Sequence, residues 1–229
     1  MIKGIIFDLD DTLYPEKEFV ISGFKSVANY LSSKYNLDFK IIFNILNDDF
    51  KVGLRKKNFN VLLEKLNIKD EKIDKLISIY RDHKPDISLY KDAKTTLKNL
   101  KKKFKMGLIT DGYITTQKNK ILALGIEKYF DCIIINKIGK MDKRNQKSFN
   151  KMSLKLKIDL KNILYVGDNP KKDFMITKKI GITTIRIKRK DGLYTSIESD
   201  VKNMPDYTIS NLLQLVDILF KLNKHLNYE

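Results

Sequence analysis

Short apolar runs alternate with helically periodic stretches along this chain. Residues 2–8, 105–111, 131–136, 162–168 and 183–187 are rich in β-formers and lack the polar alternation of a half-exposed strand. That pattern belongs to strands covered on both faces of a parallel sheet. Between them the spacing predicts helices over 91–102, 114–124 (closed by Gly125), 145–156 and 171–180 (ahead of Gly181), and a closing helix over 211–222. Strand and helix in alternation predict an α/β fold, a Rossmann-like doubly wound parallel sheet with helices on both faces.

One interval breaks the rhythm. Roughly 95 residues separate the first two strands, far more than a crossover helix requires. Val20, Phe24, Val27 and Leu31 step by one helical face, and 41–50, 59–66 and 73–80 continue in the same period. Pro85 stops the run. The expected organisation is an all-helical segment, residues 15–86, inserted after the first strand at the sheet's C-terminal edge. Residues 1–14 and 87–229 form the α/β core. No internal repeat is visible.

Composition narrows the class. With 229 residues and 42% apolar positions the chain can bury a substantial core, and disorder is excluded. A single Cys excludes a disulfide framework or a multi-cysteine metal site and points to a reducing compartment. No apolar run is long enough to cross a bilayer, and acids interrupt the N-terminal apolar stretch where a signal peptide would keep it. A cytoplasmic setting without a membrane partner is therefore expected. The net charge of +17 invites a nucleic-acid reading, but only five of the 45 basic residues are Arg, the side chain suited to bidentate recognition of phosphates and bases. The lysines are dispersed, as on a solvated surface, so no specific nucleic-acid partner is expected.

In an open parallel sheet, ligands bind beyond the carboxyl ends of the strands. The first strand ends in Asp8-Leu9-Asp10-Asp11-Thr12, the second in Thr110-Asp111-Gly112, and the fourth in Gly167-Asp168-Asn169-Pro170 with Asp173 shortly after. Carboxylates gathered in one crevice repel unless a cation neutralises them. A hard oxygen site for Mg²⁺ answers that need, and Mg²⁺ commonly partners phosphate substrates.

These motifs resemble those of the haloacid dehalogenase-like superfamily, in the branch with a helical cap between the first two motifs. The resemblance spans essentially the whole chain. It rests on Asp8, Asp10 and Thr12 after the first strand, Thr110 closing the second, and Gly167, Asp168 and Asp173 at the fourth. It implies that Asp8 is a nucleophile forming an aspartyl-phosphate, and that Asp10 is the acid and base. Thr12 would orient Asp10, while Thr110 and the backbone after it, at Asp111 and Gly112, would hold phosphate oxygens. Mg²⁺ would be held by Asp8, the Asp10 main-chain carbonyl and Asp168, with Asp173 as the further acid of that set. The family's third motif, a Lys usually followed by Pro, is altered: the stretch is Gly139-Lys140-Met141-Asp142-Lys143-Arg144-Asn145. Lys143, six residues before Phe149, is preferred to Lys140 as the catalytic lysine.

Other positions read more simply. Asp11 fits a cap or turn. Asn169 either orients a ligand or makes an Asx turn. Cys132 fits inert core, and His83 and His225, lacking partners, fit the surface. Tyr14, Phe19, Phe24 and Arg55 either line a pocket under the cap or pack as core. The expected activity is a Mg²⁺-dependent phosphatase acting on a small phosphorylated metabolite of the sugar phosphate, nucleotide or phosphoglycolate type, as a monomer or homodimer. A phosphomutase or a 2-haloacid dehalogenase on the same fold are the alternatives, with a non-catalytic basic protein binding nucleic acid or another anion as a third.

Overall fold

The computed structural model describes residues 1–53, 57–137 and 142–224, so Arg55, Lys140 and His225 lie outside the described residues. Six parallel strands form one sheet: β1 (Gly4–Phe7), β2 (Lys105–Gly112), β3 (Cys132–Lys137), β4 (Ile163–Gly167), β5 (Thr183–Ile187) and β6 (Tyr207–Ile209), in the order β3-β2-β1-β4-β5-β6. The chain leaves β1 towards β2 and β3 and returns to β4 on its other side, so the strand order reverses at β1. A crevice opens at the carboxyl ends where such a reversal occurs.

Side-chain alternation explains the unbroken apolar runs. Ile5 and Phe7 of β1, with Met106, Leu108, Leu164, Val166 and Ile185, face helices α5 (Lys91–Leu100), α6 (Ile114–Leu124) and α9 (Leu215–Lys224). Ile6, Ile109, Ile134 and Tyr165 face α7 (Lys147–Leu156) on the other side. Both faces are covered, so strand positions are mostly apolar, with Thr110, Thr184 and Arg186 as buried polar exceptions.

Helices α1 (Glu16–Tyr35), α2 (Phe39–Lys51), α3 (Asn58–Lys65) and α4 (Ile73–Asp82) lie between β1 and α5 in the chain. They share an apolar cluster of their own around Phe24, Val27, Leu31, Ile42, Leu46, Leu62 and Leu76. No helix among the described residues is long and apolar enough to cross a membrane.

The structure departs from the sequence pattern in several places. The sixth strand, β6, has only three residues and two exposed positions, too little to register as a pattern. The helix expected over 171–180 contracts to α8 (Met175–Lys179), and a separate turn precedes it in which the Asn169 carbonyl accepts the N–H groups of Lys172 and Asp173. Helix α9 begins later than expected, behind a short 3₁₀ turn closed by a capping box between Asn211 and Gln214. His83 is buried, not on the surface: Nδ1 lies 2.7 Å from the Tyr80 carbonyl and Nε2 lies 3.1 Å from Ser22 Oγ. It pins the returning end of α4 to α1. Cys132 is half-buried on β3, an edge strand.

A buried clasp secures the loop after β1. Arg189 donates from Nη2 to the Thr12 carbonyl at 2.8 Å and from Nη1 to Asp92 Oδ2 at 2.6 Å, with its guanidinium 3.9 Å above the Tyr90 ring. Asp92 Oδ2 also accepts Leu212 N–H at 2.7 Å. Removing one member of a buried ion pair leaves the other charge uncompensated. Asp92→Ala should therefore cost about 3–5 kcal/mol in chemical denaturation; a loss below about 1 kcal/mol would place the pair with weak surface ion pairs.

Candidate active site

β1 delivers Asp8 into the crevice, and the Asp8 N–H still donates to the Val166 carbonyl at 2.9 Å, keeping the strand end aligned with β4. Asp8 is 4% exposed. The chain then turns at Asp11, whose φ of 49° lies in the left-handed region. Asp11 is a turn residue: Oδ1 accepts Glu16 N–H at 2.9 Å and Oδ2 accepts Leu193 N–H at 2.8 Å.

Lys143 Nζ sits 2.8 Å from Asp8 Oδ1 and 2.9 Å from Asp173 Oδ1, and all three side chains are almost fully buried. Asp173 also accepts from Tyr165 Oη at 3.0 Å and from Asn169 N–H at 2.9 Å. Gly167 makes this possible. A Cβ there would stand 2.5 Å from Asp173 Oδ2 and 3.0 Å from the Tyr165 ring, so only glycine lets that carboxylate fold back against β4.

The charges respond to this crowding. Burial, reinforced by the Asp173 and Asp10 charges against the pull of Lys143, pushes the Asp8 carboxyl up to about 7. Burial together with the Asp8 and Asp173 charges pushes Asp168 well above the usual carboxylate range. Lys143 is driven the other way from what burial alone would dictate: Asp173 and Asp8 hold it firmly protonated.

A second network surrounds Asp10. Lys120 Nζ lies 2.7 Å from Asp10 Oδ1, the Tyr14 hydroxyl donates to the same oxygen, and Gln117 Nε2 donates to Oδ2 at 3.2 Å. Gln117 Nε2 also donates to Thr110 Oγ1. Burial works to raise the Asp10 carboxyl, but Lys120, Tyr14 and Gln117 together hold it below its ordinary value.

Several expected residues take other places. Thr12 does not bond Asp10: its buried hydroxyl has no hydrogen-bond partner among the described residues, and its carbonyl serves Arg189. The Asp111 carboxylate accepts from Asn136 Nδ2 at 2.9 Å and from Lys143 N–H at 3.2 Å, so it fixes the turn that carries Lys143. Gly112 leaves room for Gln117, whose Cγ would stand 2.7 Å from a Cβ. The Asn169 side chain makes the Asx turn, accepting Lys171 N–H at 3.0 Å. Tyr14 and Phe19 belong to the core cluster, and Phe24 to that of the helical insertion. Gln117 and Lys120 belong to no motif read from the sequence. Their only signal is a shared face, three residues apart, on the helix that follows Thr110.

The donor set fits a divalent cation. One carboxylate oxygen each from Asp8, Asp168 and Asp173 lies within 4.8 Å of the other two, and all three residues are buried. Among the described residues a single ammonium, Lys143, pairs with this group, and Asp168 makes no ion pair. Three carboxylates against one cation leave negative charge uncompensated, and hard oxygen donors suit Mg²⁺.

A six-stranded parallel sheet with acids at the ends of β1 and β4 defines a doubly wound α/β fold carrying an Asp-x-Asp site at its strand ends. The family model described as haloacid dehalogenase-like hydrolase matches residues 5–187, and the chain belongs to that family. It is 34% identical to glyceraldehyde 3-phosphate phosphatase of Methanocaldococcus jannaschii, over 98% of this chain and 100% of that protein. Among solved structures, an HAD phosphatase from Thermococcus onnurineus is similar, with TM-score 0.63 and 25% identity over 95% of this chain and 98% of that one. A 2-haloacid dehalogenase from Pseudomonas syringae shares the fold, with TM-score 0.67 and 21% identity over 97% of this chain and 100% of the other.

Gly167→Ala tests the tight approach of Asp173 to β4. It should lower unfolding free energy by about 1–3 kcal/mol, the usual cost of forcing extra volume into a packed site. Wild-type stability in the same denaturation experiment would mean that the Asp173 carboxylate is free to shift.

Proposed function

We propose that this phosphatase of the haloacid dehalogenase-like family hydrolyses the phosphate monoester of a small metabolite, with Asp8 as nucleophile, Asp10 as acid and base, and Mg²⁺ as cofactor. The observation that carries the reading is the pairing of two carboxylates from one strand end with two separate buried lysines, Asp8 with Lys143 and Asp10 with Lys120. The division of roles follows the order of the two acids in the Asp-x-Asp motif and not their titration, since among the protein groups alone Asp8 is the raised carboxyl and Asp10 the lowered one.

In this reading an Asp8 oxygen attacks phosphorus, the bond to the ester oxygen breaks, and that oxygen leaves with the electron pair and a proton from Asp10. The product is an alcohol and an aspartyl-phosphate, a familiar use of carboxylate nucleophiles. Asp10 then takes a proton from water as the water oxygen attacks the same phosphorus. The bond to Asp8 breaks, inorganic phosphate is released and the carboxylate is restored. Thr110 holds a phosphate oxygen, and Lys143 keeps Asp8 aimed and offsets its charge. Asp8, Asp168 and the Asp10 carbonyl would hold Mg²⁺, with Asp173 beside them; when bound, the ion neutralises charge on the phosphoryl group.

Residues 15–86 act as a cap domain over the core formed by 1–14 and 87–229. A cavity of about 340 Å³ lies among the insertion helices, lined by Glu16, Phe24, Asn58, Phe59, Tyr80 and Arg81 and by none of the strand-end acids. The similarity to the glyceraldehyde 3-phosphate phosphatase of Methanocaldococcus jannaschii makes that triose phosphate the first substrate to examine. The lysine-rich surface would attract phosphate esters over about 8 Å at physiological salt. The dedicated support of Asp10 favours phosphate chemistry over dehalogenation, which requires no second acid.

Purified protein should release phosphate from glyceraldehyde 3-phosphate or another member of a small phosphate-ester panel in the presence of Mg²⁺. EDTA should silence the reaction, Mg²⁺ should restore it, and Asp8→Asn should reduce it to background. Undiminished release by Asp8→Asn, or chloride release from a 2-haloacid without metal, would defeat the reading.

A further inference from the structure

Two lysines are buried among the described residues, Lys143 and Lys120. Lys143 belongs to the altered third motif, whereas Lys120 belongs to no motif and emerges only from the structure. Its side chain is 5% exposed, and its ammonium lies 2.7 Å from Asp10 Oδ1 and 4.3 Å from the Phe19 ring centroid.

Stability alone is a weak reason for such a pair. Taking two charges out of water costs several kcal/mol per ion, and the mutual attraction often does no more than offset it. The geometry supplies a stronger one. Lys120 and Tyr14 engage one Asp10 oxygen, and Gln117 engages the other while also bonding Thr110. With both oxygens held, Asp10 cannot rotate freely, and Gln117 ties it to the phosphate-binding hydroxyl on the neighbouring strand.

The helix that carries Lys120 is itself anchored. On α6, Thr116 Oγ1 donates to the Arg81 carbonyl at 3.1 Å, and Asn119 Nδ2 donates to the Asp82 carbonyl at 3.1 Å. Tyr113, the residue before α6, lies 3.7 Å under the Arg81 guanidinium. The returning end of the helical insertion thus braces the element from which Lys120 reaches Asp10.

We propose that Lys120 is a positioning residue for Asp10, locking its carboxylate, together with Tyr14 and Gln117, in register with Thr110 for proton transfer. This rests on the acid–base role assigned to Asp10 above. Lys120 does not touch substrate; it acts through Asp10.

The test is a double-mutant cycle on the full-length, Mg²⁺-loaded enzyme, with kcat and KM measured for Lys120→Met, Asp10→Asn and the pair. Small misplacements of a catalytic group can cost about 10²-fold. Lys120→Met should lower kcat by about that factor with KM nearly unchanged, and Lys120→Arg should recover part of the loss. In the Asp10→Asn background Lys120→Met should slow the reaction by no more than about twofold, because residues acting as a unit are non-additive. Multiplying losses, or a wild-type kcat for Lys120→Met, would overturn the proposal. If Asp10→Asn leaves the rate unchanged, the acid–base reading itself falls. Should Lys120→Met fail to fold, Tyr14→Phe removes one contact to the same oxygen with little change of volume and enters the same cycle, with the same expected non-additivity.

Discussion

Four carboxylates crowded at the ends of two parallel strands set the terms for the rest of this structure. Asp8, Asp168 and Asp173 lie within one ligand sphere, and Asp10 follows two residues after Asp8. Burial disfavours the charged forms of Asp8 and Asp168, and the Asp173 charge beside them raises both further. The fold therefore needs fixed positive charge at that point. It supplies Lys143 to Asp8 and Asp173, Lys120 to Asp10, and a set of oxygens suited to a divalent cation.

The surrounding architecture holds those charges in place. Reversal of strand order at β1 opens the crevice, and double coverage of the sheet makes β1 and β4 rigid platforms. Gly167 admits Asp173 against β4, Asp111 fixes the turn bearing Lys143, and Arg189 ties the Asp8–Thr12 loop to α5 through Asp92. Charged groups away from the crevice serve the same end: Asp11, Asp92 and Arg189 secure loops with their side chains.

Much of the architecture was legible in the sequence because buried parallel strands are largely apolar, so that an acid immediately after such a run stands out. Asp8, Thr110 and Asp168 were visible for that reason. Less was legible where tertiary contacts overrode local pattern. The residues before α8 resemble a helix start, yet the Asp173 carboxylate turns back to the Asn169 N–H instead. β6 is too short and exposed to carry a period. His83 carries no apolar signal, and its burial follows from Phe19 and Ser22, which are distant in sequence. Lys120 was hidden among 40 lysines; only the fold distinguishes the one that reaches Asp10 from those that face water. Thr12 has the residue type that would orient Asp10, but its buried hydroxyl makes no hydrogen bond among the described residues.

The central claim is that Asp8 itself carries the phosphoryl group during turnover. Rapid acid quench within a single turnover, followed by borohydride reduction and peptide mass analysis, tests this directly, because an acyl phosphate of aspartate is reduced to homoserine. The account predicts homoserine at position 8 in the wild-type enzyme. A phosphoryl group on any other residue, or a full turnover of released phosphate with Asp8 never modified at any quench time, would contradict it.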